Sequence, residues 1–356
     1  MSWSIIIAAA LALAVAEYYW APYAMRALRL HCSTDRIMAE PGEVITLHAT
    51  VENHARLPIP FVRIHERLPF EAVICGDPQW INQHCQKGIQ KWYVEEKLAL
   101  QGRQQSKRSV QFTLPRRGSY SVGDYSLSAG DLLGFKEATK TGAGKPMVII
   151  PERSSNHKAL EALGGFLGDI SVRRFILEDP ILTVGFRDYT GREPMKSISW
   201  LRSATAGKLQ VKQFDHTAEQ NVTVLLNTEG GSPEELEECF RLMRTVCEQL
   251  EKKKIPFALR TNGNLPGPVG KIFSLASGLG SRHANTILYA LGRADYTCFR
   301  SFRYLVNQTL RHRRSNESYI VITPRLDSET HSLIRMLDSA VGNPVCVLSG
   351  QQEVGQ

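Results

Sequence analysis

The chain has no Cys-x-x-Cys pair, no low-complexity tract and no internal repeat. Its seven cysteines, Cys32, Cys75, Cys85, Cys239, Cys247, Cys298 and Cys346, are odd in number and scattered. That pattern excludes a zinc ribbon and a disulfide framework, and free thiols fit a reducing compartment. One pairing stays open, Cys75 with Cys85, if that region is exported. Also missing are a Gly-x-Ser-x-Gly elbow, a His-Glu-x-x-His pair and a phosphate loop. Gly144-Lys145 lacks the glycine five residues before Gly144 and is followed by Pro146. With the signatures of a serine hydrolase, a zinc protease and a P-loop ATPase absent, no catalytic residue and no cofactor are expected. A hydrolase whose site leaves no local motif is the remotest reading.

Charge is abundant but diffuse. The 356 residues carry 43 Lys and Arg against 35 Asp and Glu, a net charge of +8. The densest basic run, Arg311-His312-Arg313-Arg314, lacks interleaved aromatics. A nucleic-acid stacking platform needs them, so no nucleic-acid partner is expected.

One long apolar run exists, at residues 3–24. At 1.5 Å per residue it has the length to cross a bilayer core as a helix. Tyr18, Tyr19, Trp20 and Tyr23 mark an aromatic belt at its far end, and Arg26 and Arg29 follow. These features predict a single-span anchor over residues 1–27, N-terminus outside, with the bulk of the chain cytoplasmic. A cleaved signal peptide is the competing reading, disfavoured because no cation precedes the run.

From residue 28 to 150 the pattern has period two. Ile45, Leu47, Ala49 and Val51 share one strand face, and Thr46, His48 and Thr50 the other. Further strands are expected at 61–66, 90–100, 109–114, 120–122, 125–128 and 147–150, making a β-sandwich. His48, His54, His65 and His84 match no metal spacing. From residue 221 the period changes. Ser232-Pro233-Glu234-Glu235 reads as a helix start, with Ser at the N-cap and Glu at N3. Leu236, Cys239, Phe240, Met243, Val246, Cys247 and Leu250 follow as one apolar stripe. Strands at 221–226, 257–260, 319–323 and 344–348 alternate with helices at 285–291, 302–312 and 328–340. That alternation predicts a parallel sheet covered on both faces. The fold class is therefore multidomain α and β: an N-terminal helix, a sandwich, a joining region at 151–220 and an α/β domain at 221–356.

Residues 185–215 stand apart from both patterns. Arg187, Tyr189, Ile198 and Trp200, then Ser203-Ala204 and Leu209-x-Val211-Lys212, fall at a distinctive spacing. The stretch resembles the signature of the family called Domain of Unknown Function 58. Arg192 stands where that family has Gly, with Gly191 one place earlier; Glu193 stands for Asp, Lys196 for Arg and Thr205 for Arg. Arg116-Arg117-Gly118-x-Tyr120 and Ser128-Ala129-Gly130-Asp131-Leu132-Leu133-Gly134 look like its flanking β segment. The resemblance implies a membrane anchor, an immunoglobulin-like sandwich and a von Willebrand factor type A-like α/β region. It also implies partnership with a MoxR-type AAA+ ATPase.

That α/β type can bind a divalent ion through Asp-x-Ser-x-Ser after its first strand. The corresponding residues here are Asn227, Thr228, Glu229, Gly230 and Gly231. The carboxylate is an amide and both serines are gone, which leaves a degenerate loop and no expected metal site. The charges of the signature, Arg187, Asp188, Arg192, Glu193, Lys196, Arg202 and Asp215, allow two readings. The favoured one is a buried ion-pair network joining the domains, with Tyr189, Ile198, Trp200, Leu209 and Val211 packed into a core. The other is an exposed docking surface with Trp200 as anchor. The functional expectation is a membrane-anchored, non-enzymatic interaction or scaffold protein, partner of the ATPase or of an envelope-linked assembly. The alternative is a metal-dependent adhesion-type binder outside the cell.

Overall fold

The structure is a computed structural model that describes residues 2–130, 137–176, 179–215, 221–265, 273–313 and 317–351. Asp131 to Gly134 of the flanking β segment and Arg314 of the basic run lie outside these residues. The chain is a mixed α and β protein of two compact units, one over residues 1–152 with 291–293, the other over the rest.

The first unit opens with helix α1 (Ser2–Ala27). Among the described residues, no helix is long and apolar enough to cross a membrane. The expected transmembrane anchor and the cytoplasmic placement derived from it are therefore corrected. The physical reason lies in the composition of α1. Its clean apolar portion, residues 5–16, spans about 18 Å, well short of the ~30 Å hydrocarbon core. Beyond it come Glu17, three tyrosines and Pro22. The last turns then bury Ala21 and Ala24, with Ala24 packed in a protein core beside Leu28, Val51 and Ile64.

Among the described residues twelve strands follow: β1 (Leu28–Thr34), β2 (Met38–Ala39), β3 (Ile45–Asn53), β4 (Ile59–Pro69), β5 (Val73–Cys75), β6 (Cys85–Lys87), β7 (Lys91–Leu100), β8 (Gln105–Thr113), β9 (Gly118–Val122), β10 (Asp124–Gly130), β11 (Glu137–Gly142) and β12 (Lys145–Ile149). Helix α2 (Pro78–His84) precedes β6, with Asp77 as its N-cap. One sheet runs β1-β3-β8-β5, a second β11-β10-β4-β7-β6, and a small third β2-β12-β9. Leu28 and Val51 of the first sheet pack against Ile59, Val62, Ile64, Leu100 and Leu127 of the second, so the two large sheets form a sandwich. The period-two reading of β3 holds residue by residue: Ile45, Leu47, Ala49 and Val51 are buried, while Thr46, His48 and Thr50 are not. Cys75 and Cys85 are both free thiols.

The sandwich interior also contains charge. Arg108 of β8 reaches across to Glu66 of β4 at 2.7 Å and to Glu96 of β7 at 3.0 Å. The Glu66 side chain is 0% exposed. The guanidinium nitrogens lack in-line hydrogen-bond geometry, so the link is a charge contact rather than a fork. Burial raises the Glu66 pKa against the pull of Arg108. Beside it, burial and the Glu66 charge push the Cys32 thiol up to about 12, which leaves it unreactive at neutral pH.

The second unit contains α3 (His157–Ile176), β13 (Asp179–Asp188), α4 (Trp200–Ala206), β14 (Gln210–Asp215), β15 (Asn221–Leu226), α5 (Pro233–Lys252), β16 (Phe257–Thr261), β17 (Phe273–Gly278), α6 (Ser281–Gly292), α7 (Phe302–Arg311), β18 (Glu317–Thr323), α8 (Ser328–Val341) and β19 (Val345–Ser349). Its main sheet runs β17-β16-β15-β18-β19. β15 pairs parallel with β16 and β18, β18 pairs parallel with β19, and β17 adds an antiparallel edge. The capping box at Ser232 and Glu235 is present in full. All seven residues of the α5 stripe are buried, but burial is wider than one stripe, taking in Glu238, Arg244 and Thr245. The extended segment leading into α3 lies against that second face. Ser154 donates its amide to Thr245 at 3.0 Å and its hydroxyl to Glu238, and Arg153 meets Glu248 at 2.7 Å. Tyr319 and Val321 of β18 pack under α7 and α8.

Candidate interaction site

The crevice beyond the carboxyl ends of a parallel sheet is the usual ligand site of such a fold, and β15 lies where strand order reverses. Asn227 follows β15 directly and is 2% exposed. Every polar atom of its amide is engaged. Its Oδ1 accepts from Asn262 Nδ2 at 2.8 Å and from the Glu229 amide at 3.0 Å, and its Nδ2 donates to Thr323 Oγ1 at 3.1 Å. Asn262 Oδ1 in turn accepts from the Thr228 amide at 2.9 Å. The Glu229 carboxylate accepts from the Phe302 amide at 2.6 Å, in the first turn of α7. Asn227, Thr228 and Glu229 thus tie β15, β18, α7 and the end of β16 together, with Asn227 Oδ1 and one Glu229 oxygen turned to protein donors and the Thr228 hydroxyl donating to Asn262 Oδ1. Asn262 and Thr323 are the residues that sequence reasoning missed. The only local signal was a polar residue placed immediately after, or at the end of, an apolar strand.

The signature residues assemble elsewhere, on a small lobe made of the antiparallel β13–β14 pair, a 3-10 turn at Met195–Ser197 and α4. Ile198 bridges Val211, and both are buried. The Ser203 hydroxyl donates to the Ser199 carbonyl at 2.8 Å and accepts from the Gln210 amide at 2.8 Å. That single buried side chain binds α4 to β14. Half-buried Tyr189 donates its amide to the Leu209 carbonyl at 3.0 Å. Gly191 takes φ +86°, which suits a residue without Cβ. Glu193 closes the turn, accepting from the Thr190 amide at 3.0 Å and hydroxyl at 2.8 Å and meeting Arg187 at 2.8 Å.

Desolvation works to raise the Glu193 pKa, but the Thr190 donors and then Arg187 outweigh it and hold the carboxyl at about 2. The folded value lies below the ordinary 4.5, so this turn contributes stability above pH 4.5 that is lost as pH falls toward 2. In an NMR pH titration the Thr190 amide shift should therefore move with a midpoint near 2. A midpoint near 4.5 would show that the turn is not held this way.

The structure corrects the favoured reading of these charges. Arg187–Glu193 and Lys208–Asp188 (2.6 Å) are ion pairs at the surface, screened by solvent, and not a buried network. Trp200 is 60% exposed and Leu201 83%, with Met195, Leu209 and Phe186 also exposed. Of the five residues expected in a core, Ile198 and Val211 are buried and Tyr189 half so. Lys196, Arg192 and Ala204 are exposed. Arg202 lies over the Phe186 ring at 5.1 Å. Phe214 and Asp215 are described in their backbone alone.

No family model matches the chain, and no curated protein does. Among solved structures it is similar to the major pilin subunit of Bacillus cereus, at 9% identity over 36% of this chain and 41% of that one, with a TM-score of 0.27. Escherichia coli alpha-2-macroglobulin is similar at 12% identity over 35% of this chain and 24% of that one, TM-score 0.27. The CARDB domain of a Pyrococcus furiosus protein matches at 11% over 34% of this chain and 91% of that one, TM-score 0.21. The chain spans under half of the pilin and macroglobulin chains. Likenesses of this size carry no argument about function.

Proposed function

We propose that this chain is a non-enzymatic interaction protein that docks a partner through the β13–β14 lobe. The observation that carries this reading is Trp200, a large apolar ring left 60% exposed on a scaffold whose own core is satisfied. Trp, Tyr and Arg are enriched among interface hot spots. The antiparallel sandwich supports an immunoglobulin-like assignment, and the sheet order with its amide-closed loop supports a degenerate von Willebrand factor type A-like domain. The resemblance of the signature makes a MoxR-type AAA+ ATPase the partner to test first.

With the purified ATPase, Trp200→Ala is expected to weaken binding by about 2 kcal/mol or more, roughly 30-fold, without loss of fold. Arg187→Ala should weaken it less, since its main contact is Glu193. Calorimetry on the parent and both variants checks this. Parent binding that survives Trp200→Ala unchanged would remove the lobe as the docking site.

A further inference from the structure

Residues 185–212 carry six cations, Arg187, Arg192, Lys196, Arg202, Lys208 and Lys212, against two carboxylates, Asp188 and Glu193, a net charge of +4. Both carboxylates are already taken, by Lys208 and Arg187. Arg202 is laid over Phe186. Arg192, Lys196 and Lys212 are exposed and have no acidic partner among the described residues. These cations share the lobe with Trp200, Leu201 and Met195, all more than half exposed. The platform beneath is preorganised by the Ile198–Val211 bridge and the two Ser203 hydrogen bonds, so little ordering cost attends binding.

We infer that the lobe takes an acidic amphipathic segment of a partner protein, whose carboxylates meet Arg192, Lys196 and Lys212 while an apolar side chain covers Trp200 and Leu201. This rests on the docking reading above and adds the chemistry of the partner. Charge complementarity sets the sign, because the net +4 of residues 185–212 disfavours a basic partner. Nucleic acid fits less well. A stacking platform presents successive aromatic faces, whereas Phe186 is covered by Arg202 and Tyr189 is half-buried. An anionic bilayer would attract the cations too, but it makes no demand for a fixed Trp and Leu beside a rigid turn.

The test uses the full chain and a fluorescein-labelled helical peptide with Leu at i, i+4 spacing and Glu elsewhere, beside its charge-inverted Lys counterpart. Binding of the acidic peptide alone is expected. It should weaken about tenfold between 50 and 500 mM salt and about 30-fold in Trp200→Ala. The double change Arg192→Glu with Lys196→Glu should abolish it while circular dichroism stays unchanged. If the ATPase binds through Trp200 yet is indifferent to salt and is not competed by the acidic peptide, the acidic-segment inference falls and the docking reading stands. If Trp200→Ala leaves ATPase binding intact, the docking reading itself falls. Binding to phosphatidylserine vesicles in preference to the peptide, or equal binding of both peptides, also overturns the inference.

Discussion

Replacing Arg108 by alanine should destabilise the sandwich unit by about 3–5 kcal/mol. The guanidinium is the only cation within ion-pair distance of Glu66 among the described residues, and that carboxylate is fully enclosed. Removing Arg108 leaves Glu66 to protonate or to force water into the space between the sheets. The effect has a definite pH sign. Burial already raises the folded pKa of Glu66 above the ordinary 4.5, and losing Arg108 removes the group that lowers it. The protonated form suits the buried site, so the deficit of the variant relative to the parent should be complete above the variant's folded pKa and shrink as pH falls to the parent's folded value, which itself lies above 4.5. Glu66→Leu combined with Arg108→Met should recover most of the loss, because an apolar pair of similar volume needs no solvation. Urea denaturation followed through Trp80 and Trp92, which pack on this core, reads both variants. A cost below about 1 kcal/mol for the single change would mean that the charge contact does not clamp the sheets.

Asn227→Asp is expected to cost about 1–3 kcal/mol at neutral pH, although it restores the carboxylate an ion site would use. Asn262 and Glu229 still donate to one oxygen, but the other faces Thr323 Oγ1, where an amide proton used to sit. Thr323 could answer only by giving up its bond to the Arg325 carbonyl at 3.0 Å. Millimolar Mg²⁺ should not rescue the loss, because the Glu229 carboxylate is committed to the Phe302 amide. A rise in melting temperature of the variant on adding Mg²⁺, absent in the parent, would show that these oxygens are available after all.

Much of this frame could be read from one-dimensional pattern. Period-two alternation located β3, and the Ser232 capping box located the start of α5. The Glu66–Arg108 contact was also open to reading. Glu66 shares parity with Val62, Ile64 and Leu68, and Arg108 with Val110 and Phe112, so two opposite charges stand on core faces. Other elements were hidden for physical reasons. α3 carries Gly164, Gly165 and Gly168, which lower helix propensity and blur its apolar stripe. The N-terminal run looked long enough for a bilayer because total length was weighed above where the apolar residues stop and where Ala21 and Ala24 pack. Trp200 was assigned to a core on its size. Its exposed place as the first residue of a short helix depends on pairings outside that helix, such as Ile198 with Val211. Asn262 escaped notice for a similar reason, since its partner Asn227 lies a whole strand–helix–strand unit away.

The position of β15 in the middle of its sheet has a consequence for synthesis. On the ribosome β15 and β16 can pair soon after α5 emerges, since nothing else separates them. The other edge of β15 must wait for β18, with Asn221 matched only when Glu317 appears. Throughout that interval an apolar strand with five fully buried positions in the finished protein presents an unpaired edge. Nascent chains stalled between residues 265 and 317 are the stage at which this protein is most exposed to mispairing with its neighbours.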